Sequence, residues 1–401
     1  MLLDNSFPLQ HYLIKLLIPL YRFYLFISFA LIRLFIEIYL RFRKASHPHK
    51  VRSVLHVSCL SHKPFMLSRL MREKGLKSEY LAVAAETGWL QVGTRGYDYN
   101  VTFNTYLKII FQPWIIAYYI LSVMGRYDVI HYHFATLLTN NELELALLKR
   151  MGKVIVFHFR GCDLRQRSVN NKTNPELNCC QECDYPEGSC ENRVQSFRIS
   201  LAKKYADLLF VTTPDLLDFL PEAEQMPFIA PYGIDLGKVE ATPKNKGVFR
   251  VVTSSNHDSV DGTEYIRKAV KRLQEEGRAI ELIEVHKTPY EKALSIYKSA
   301  DVYVSKLRMG YYNNANIECM MMAIPCMSYV REEFLRNMPD CPIIITRPDT
   351  VYQRLKEYID QPEKLKEIGQ QGIQFVKKYH DSDKIVQYMI KRYNEALTSF
   401  S

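Results

Sequence analysis

Short apolar runs and amphipathic runs take turns along most of this chain. VRSVLHVS at 51–58, SEYLAVAA at 78–85, DVIHYHF at 128–134, KVIVFHF at 153–159 and ADLLFVTT at 206–213 are rich in branched and aromatic residues and read as strands. SHKPFMLSRLMREKG between the first two reads as a helix, capped near Ser61 and stopped at Gly75, and another helix start is expected at Pro214. Residues 103–124 are mostly apolar and aromatic, and Pro113 predicts a bend or two helices there; the segment is either a buried helix or a border turned toward an acceptor groove or lipid. After PYGIDL at 231–236 comes ATPKNKG at 241–247, a polar linker with Pro and Gly. The pattern then restarts: VFRVVTSS, IELIEV, DVYVSKL and PCMSYV as strands; DGTEYIRKAVKRLQEEG, PYEKALSIYKSA and a stretch near 314–323 as helices; and residues 351–397 almost wholly helical. Strands parted by helices make parallel sheets, and two such units in succession predict an α/β protein of two Rossmann-like, doubly wound domains facing across a cleft. A ligand belongs in that cleft, near the C-terminal ends of the strands.

The first fifty residues do not fit that alternation. In residues 11–44, Lys15, Arg22, Arg33, Glu37, Arg41 and Lys44 fall in one narrow wedge at about 100° per residue, and Phe, Leu, Ile and Tyr occupy most of the rest. Pro19 predicts a break or kink in the first turns. Three placements stay open: a helix lying in a membrane interface with its basic face at the headgroups, a span from Tyr21 to Leu40 with Arg33 and Glu37 paired at i,i+4, or a helix packed on protein. No small-residue cleavage site follows, so a removed signal peptide is not expected. The chain is thus expected at the cytoplasmic side of a membrane, peripheral or single-pass. Its parts are a membrane-associated helix (1–49), a first domain (50–240), a second domain (241–380) and a last helix (381–401) crossing back to the first.

Composition narrows the partners. The 401 residues, 47% hydrophobic, suffice for two cores. Lys and Arg exceed Asp and Glu by ten, which favours anionic partners, yet the arginines are dispersed and no nucleic-acid motif occurs, so no nucleic acid is expected. Four of nine cysteines cluster in NCCQECDYPEGSCENR, within an insert at 171–192; the rest are scattered, which suits a reducing compartment. Cys180 and Cys183 have zinc-ligand spacing, with Cys190 and Cys179 (or Cys162) able to complete a structural site; free thiols and disulfides stay open as alternatives.

Several segments together carry a resemblance: SSNHDSVDGTEYIRKAV, ELIEVHKTPYEKALSIYKSADVYV and GYYNNANIECMMMAIPCMSYV in the second half, with DVIHYHF, HFRGCDLR and APYGIDL in the first. As an assembly over residues 50–397 they resemble GT-B glycosyltransferases, in particular the retaining family 4 (glycosyl transferases group 1). The resemblance implies transfer of a sugar from a nucleotide-sugar, UDP- or GDP-linked, to a lipid-linked or glycan-precursor acceptor. It implies that Glu318 accepts hydrogen bonds from the donor ribose, where the plainer reading is a dipole partner at a helix start. The turn from Gly310 to Asn314 and the helix start would hold diphosphate and sugar, with Gly310, Tyr312, Asn314 and Asn316 as candidates; Tyr311 and Tyr312 read equally as packing aromatics. His158 and Asp163 would lie beside the transferred sugar and the acceptor, and Arg160 and Arg165 would meet phosphate. His131 and His133 alternate with Tyr132 and are expected on one sheet face.

The chain departs from that family in places. The first of its two spaced glutamates is replaced by Gly310, and the usual Lys-Gly becomes Asp261-Gly262, a negative charge where diphosphate is expected. Ser255 and Asn256 stand at the strand end where a basic residue is common, Ala323 stands for a glycine, and Lys306, Arg308 and Lys287 are the nearest replacement cations. No metal-binding acidic pair is evident in the second half, so no cofactor is expected to be required. A catalytically impaired scaffold that binds nucleotide or a protein partner is the alternative reading.

Overall fold

The computed structural model describes residues 8–42, 49–59, 62–83, 96–102, 111–139, 141–186, 190, 193–231 and 235–399. Ser61, residues 103–110 and the middle of PYGIDL lie outside them. Two parallel α/β units follow one another. The first sheet holds β1 (Ser53–Ser58), β2 (Lys77–Val83), β3 (Tyr99–Val101), β4 (Val129–His133), β5 (Val154–Phe159), β6 (Leu208–Val211) and β7 (Glu224–Gln225), in the order β3-β2-β1-β4-β5-β6-β7. The second holds β8 (Phe249–Ser254), β9 (Ile280–Val285), β10 (Val302–Val304), β11 (Cys326–Ser328) and β12 (Ile344–Ile345), in the order β12-β11-β10-β8-β9. The central strands β1, β4 and β5 are buried along their whole length, as expected of parallel strands covered by helices on both faces.

Each sheet has a core on either side. On the first, Leu55, Ile130, Tyr132 and Phe157 face one cluster, while Val54, Val129, Val156 and Phe210 face another. The second cluster is completed by the last helix, Ser382–Thr398, whose Ile385, Val386, Met389, Tyr393 and Leu397 pack beneath the first sheet. At about 1.5–3 kcal/mol per buried large side chain, that stripe is enough to hold the chain's end on the domain it started from. The helical stretch 351–397 is three helices, Val351–Asp360, Pro362–Tyr379 and Ser382–Thr398, divided where Pro362 and His380 interrupt it.

The N-terminal helix runs unbroken from Pro8 to Phe42, so Pro19 removes one backbone bond without ending it, contrary to the expected break. One face, Ser28, Ile32 and Ile36, is buried and joins the core that holds Ile116 and Ile120 of the segment 111–124. Glu37 pairs with Arg150 of the first domain rather than with Arg33. The opposite face, Phe23, Phe26, Ile27, Leu31, Leu34, Phe35 and Ile38, is exposed, and Phe111, Trp114 and Tyr118 of helix Gln112–Tyr118 and its N-cap are exposed as well. By length and composition, Pro19–Ile38 is able to cross a membrane. Its middle is nevertheless held against a globular domain.

Candidate active site

A cavity of about 1010 Å³ lies between the C-terminal ends of the two sheets. The start of helix His62–Glu73 lines it with His62 and Lys63, and the turn after β5 with Arg160, Gly161 and Arg165. From the second domain come Ser255, Asn256, Asp261, Lys306, Tyr290, Asn313, Asn314 and Glu318.

The second-domain wall is built around helix Asn314–Met321. Asn313 caps it, accepting from the Asn316 N–H at 3.0 Å, and the Asn316 side chain returns the bond to the Asn313 N–H at 3.0 Å. Asn316 also accepts from Ser305 Oγ, so it organises the turn from a fully buried position and does not line the cavity. Asn313 and Asn314 line the cavity, which opens the helix's positive end to the cleft. Gly310 has φ of 83°, and a Cβ there would sit 3.1 Å from Arg331 Cγ. The position where the resemblance led to a glutamate being expected is thus a turn that only glycine makes without strain. Tyr311 and Tyr312 stack at 4.2 Å, and the Tyr312 hydroxyl is bound to His380 Nε2 at 2.8 Å, so both rings pack as much as they line.

Glu318 is buried and reaches the cavity, with Tyr290 donating to Oε1 at 3.0 Å. Burial pushes its carboxyl above the ordinary value, while the nearby Lys63 ammonium works the other way. Lys63 is itself drawn down to about 8 by burial, against the opposing pull of Glu318. The two groups face each other from opposite domains.

Asp261 does not stand as a bare charge beside the expected diphosphate. It accepts from Ser255 Oγ at 2.7 Å and is ion-paired to Lys306. That pair answers the unfavourable substitution read from the sequence, but it also occupies Ser255 and Lys306. Arg308 is turned away from the cavity into the insert, where it meets Glu182, the Asn178 carbonyl and Gln181 Oε1.

On the first-domain wall, His158 and Asp163 stand back from the cavity they were expected to line. His158 is buried behind the wall, with Nε2 at 3.0 Å from Thr212 Oγ1. Asp163 accepts from the Arg160 N–H at 3.1 Å and the Gly161 N–H at 2.6 Å, so its carboxylate shapes the loop. Arg165 lines the cavity but is paired with the buried Asp215. Arg160 donates from Nη2 to His133 Nδ1 at 2.9 Å.

Among the described residues the cysteines of the insert form no group with metal-ligand reach. Cys179, Cys180, Cys183 and Cys190 are free thiols, and Cys179 and Cys180 approach to 4.0 Å. Among the described residues, the groups of three with metal-ligand reach are His56–His131–His133 and Asp258–Glu284–His286, neither of them cysteine. The expected zinc site gives way to packing: Cys179, Cys180 and Cys183 cluster with Val260 and Met309 of the second domain. Around that contact, Tyr265 donates to Glu182 at 2.6 Å, the Asp184 N–H meets Ser259 Oγ at 3.3 Å, and Tyr185 bonds His257. The insert thus straps the first domain to the second along one rim of the cleft.

Lys63, Tyr290 and His56 belong to this region and were not anticipated. Lys63 has one signal in the sequence: it directly follows the loop after the first strand, where open parallel sheets bind ligands.

No family model and no curated protein matches the chain. Solved structures do. The chain is similar to sucrose-phosphate synthase from Thermosynechococcus elongatus at TM-score 0.55 and 13% identity, covering 87% of this chain and 100% of that one. It is similar to the catalytic domain of starch synthase IV from Arabidopsis thaliana, bound to ADP and acarbose, at TM-score 0.54 and 10% identity, covering 87% and 100%. It is also similar to UDP-GlcNAc 2-epimerase from Neisseria meningitidis, bound to UDP-GlcNAc, at TM-score 0.50 and 11% identity, covering 86% and 100%. With its two parallel sheets and intervening cleft, the chain has the GT-B fold.

Proposed function

We propose that the protein is a glycosyltransferase that moves a sugar from a UDP- or GDP-sugar to a lipid-linked or polysaccharide-precursor acceptor, with retention at the transferred carbon, at the cytoplasmic face of a membrane. The observation that carries this reading is the placement of Glu318, a buried carboxylate on the second-domain wall of a 1010 Å³ interdomain cavity, one turn inside a helix whose start opens on the same space. A carboxylate suits a vicinal diol because it keeps acceptor capacity beyond what Tyr290 uses. The helix start suits diphosphate, whose negative charge grows as the glycosidic bond breaks. The bound ligands of two fold relatives, ADP with acarbose and UDP-GlcNAc, belong to the chemistry proposed here.

Membrane attachment is supported by the N-terminal helix. Its inner face is occupied by the first domain, its outer face is apolar and exposed, and Arg22, Arg33 and Arg41 are exposed along it. An apolar face with flanking arginines suits a helix lying in the headgroup region better than one surrounded by hydrocarbon. Removing residues 1–45 is expected to abolish co-flotation with vesicles containing anionic lipid; co-flotation of the truncated chain would refute the anchor.

The scaffold alternative draws on one observation, that Asp261 neutralises Lys306. Incubating the full chain with UDP-, GDP- and ADP-sugars separates the readings. Release of nucleoside diphosphate from one donor is expected. Binding without release supports the scaffold, and no binding to any nucleotide defeats both.

A further inference from the structure

Four histidines stand together behind the first-domain wall. His56 on β1 is the register partner of His131 on β4, and His133, two residues further, is the partner of His158 on β5. All four lie on one sheet face and are no more than 2% exposed. His131 and His133 stack at 4.1 Å.

Their hydrogen bonds have a direction. A guanidinium only donates, so His133 Nδ1, 2.9 Å from Arg160 Nη2, carries a lone pair. In a neutral ring the proton then sits on Nε2, and this nitrogen lies 3.1 Å from His56 Nδ1, which accepts. The order Arg160 to His133 to His56 is fixed by the arginine. Burial and the Arg160 charge keep the rings neutral by holding them well below the usual imidazole range. Nitrogens of His56, His131 and His133 have the spacing of a metal triad. The same arginine argues against an ion there: His133 Nε2 bears a proton, and a divalent cation would meet a guanidinium on its ligand's other nitrogen.

The backbone beside the cluster is held in a costly conformation. Phe134 and Ala135, directly after His133, have φ of 55° and 48°, in the left-handed region. The Phe134 ring lies under the Arg160 guanidinium at 5.7 Å. Imidazole and ring together aim this one cation.

Most buried cations at the cleft are neutralised: Arg165 by Asp215, Lys306 by Asp261, Arg308 by Glu182 and Arg331 by Asp218. Two half-buried cations that line it, Arg160 and Lys63, make no contact ion pair, and Asp163 and Glu318 act on them only from a distance. Among the described residues no carboxylate lies at ion-pair distance from Arg160, and Lys63 Nζ has the Ile229 carbonyl at 3.3 Å. A half-buried cation with no carboxylate in contact keeps donors free to meet an anion.

We infer that Arg160 and Lys63 form the cleft's seat for phosphate oxygens, and that His133, backed by His56, is the positioning residue that aims Arg160 into it. The inference rests on the nucleotide-sugar reading only for what the phosphate is attached to. A donor diphosphate and a lipid-linked acceptor phosphate present the same oxygens. The second domain's expected lysine is an aspartate, so Arg160 and Lys63 bring positive charge from the opposite domain to a cavity whose own second-domain wall offers the exposed Lys287.

The test titrates the full chain with inorganic pyrophosphate by calorimetry. Arg160→Met is expected to weaken binding at least about tenfold, the loss of one charged hydrogen-bonding partner, in a chain that still unfolds cooperatively. Arg160→Lys restores part of the affinity. His133→Phe weakens binding similarly, and His133→Gln, whose amide oxygen accepts from Arg160, stays within about threefold of wild type. A purely structural histidine would not show that split. Competition by UDP or GDP assigns the seat to the donor, and competition by geranyl phosphate to the acceptor. Wild-type pyrophosphate affinity in Arg160→Met overturns the proposal even if His133→Phe fails to fold. Arg160-dependent pyrophosphate binding with no affinity for any nucleotide keeps the seat and defeats the nucleotide-sugar reading instead.

Discussion

On the second-domain side of the cleft three cations each meet a carboxylate: Lys306 meets Asp261, Arg331 meets Asp218 and Arg308 meets Glu182. On the first-domain wall Arg165 is paired with Asp215, while Arg160 meets a neutral imidazole and Lys63 a backbone carbonyl, with Glu318 facing Lys63 from the other domain. The two kinds of wall do different work. Two of the paired cations reach across to the other domain, Arg331 to Asp218 and Arg308 to the insert, so their charge is used to hold the domains in register. The unpaired cations are backed by groups that accept a hydrogen bond without cancelling charge. A neutral imidazole acceptor therefore leaves a cation's net positive charge to the cleft, whereas a carboxylate partner offsets it.

The largest expected difference between the walls appears on acidification. His56 is held down at about 3, and His131, His133 and His158 well below the ordinary 6.5, by burial first and by neighbouring charge second. Below 6.5 the unfolded chain takes up protons that the buried rings refuse, so stability falls as pH drops from 6.5 toward 3. By about pH 5 the His56 ring alone costs about 2 kcal/mol, and the other three act in the same direction. Hydrogen exchange compared at neutral pH and near pH 5 should show β1, β4 and β5 losing protection before β8, β9 and β10. Equal loss in both sheets would erase the contrast.

A smaller effect is expected from Asp261→Asn. Lys306 loses its counter-charge and becomes available to the cleft, as Arg160 is. Folding stability should drop by about 1–2 kcal/mol, while pyrophosphate affinity should rise roughly fivefold, about 1 kcal/mol. Unchanged affinity, read by the same calorimetric titration, would mean that pairing does not decide which cations are available.

Much of the architecture was legible because parallel strands advertise themselves as apolar runs. KVIVFHF and IELIEV became β5 and β9 within a residue of their expected ends. β7 and β12 have two residues each and carry no periodicity to read. The alternation of His131 and His133 rightly put them on one face, but alternation says nothing of depth, and His158 reads the same whether it ends at a cavity or behind its wall. Asp261 looked adverse because its partner lies 45 residues away. The C-x2-C spacing of the insert resembles a chelate, yet its thiols pack against Val260 and Met309, a contact between distant segments that no local spacing encodes. Ala323 stands where a glycine was expected and has φ of 59°, and Gly369 opposite leaves room for its carbonyl, since a Cβ there would come within 2.1 Å. That pairing of positions is also invisible along the chain.

The central claim is that Glu318 holds a ribose in the interdomain cleft, and a double-mutant cycle between protein and ligand addresses it. Calorimetry would measure the nucleoside diphosphate that binds best, and its 2′- and 3′-deoxy forms, against the wild type and Glu318→Gln. Removing a ribose hydroxyl should cost the wild type about tenfold or more and cost Glu318→Gln little, because the charged acceptor is already gone. The same penalty in both proteins, or full affinity in Glu318→Gln, would contradict the account.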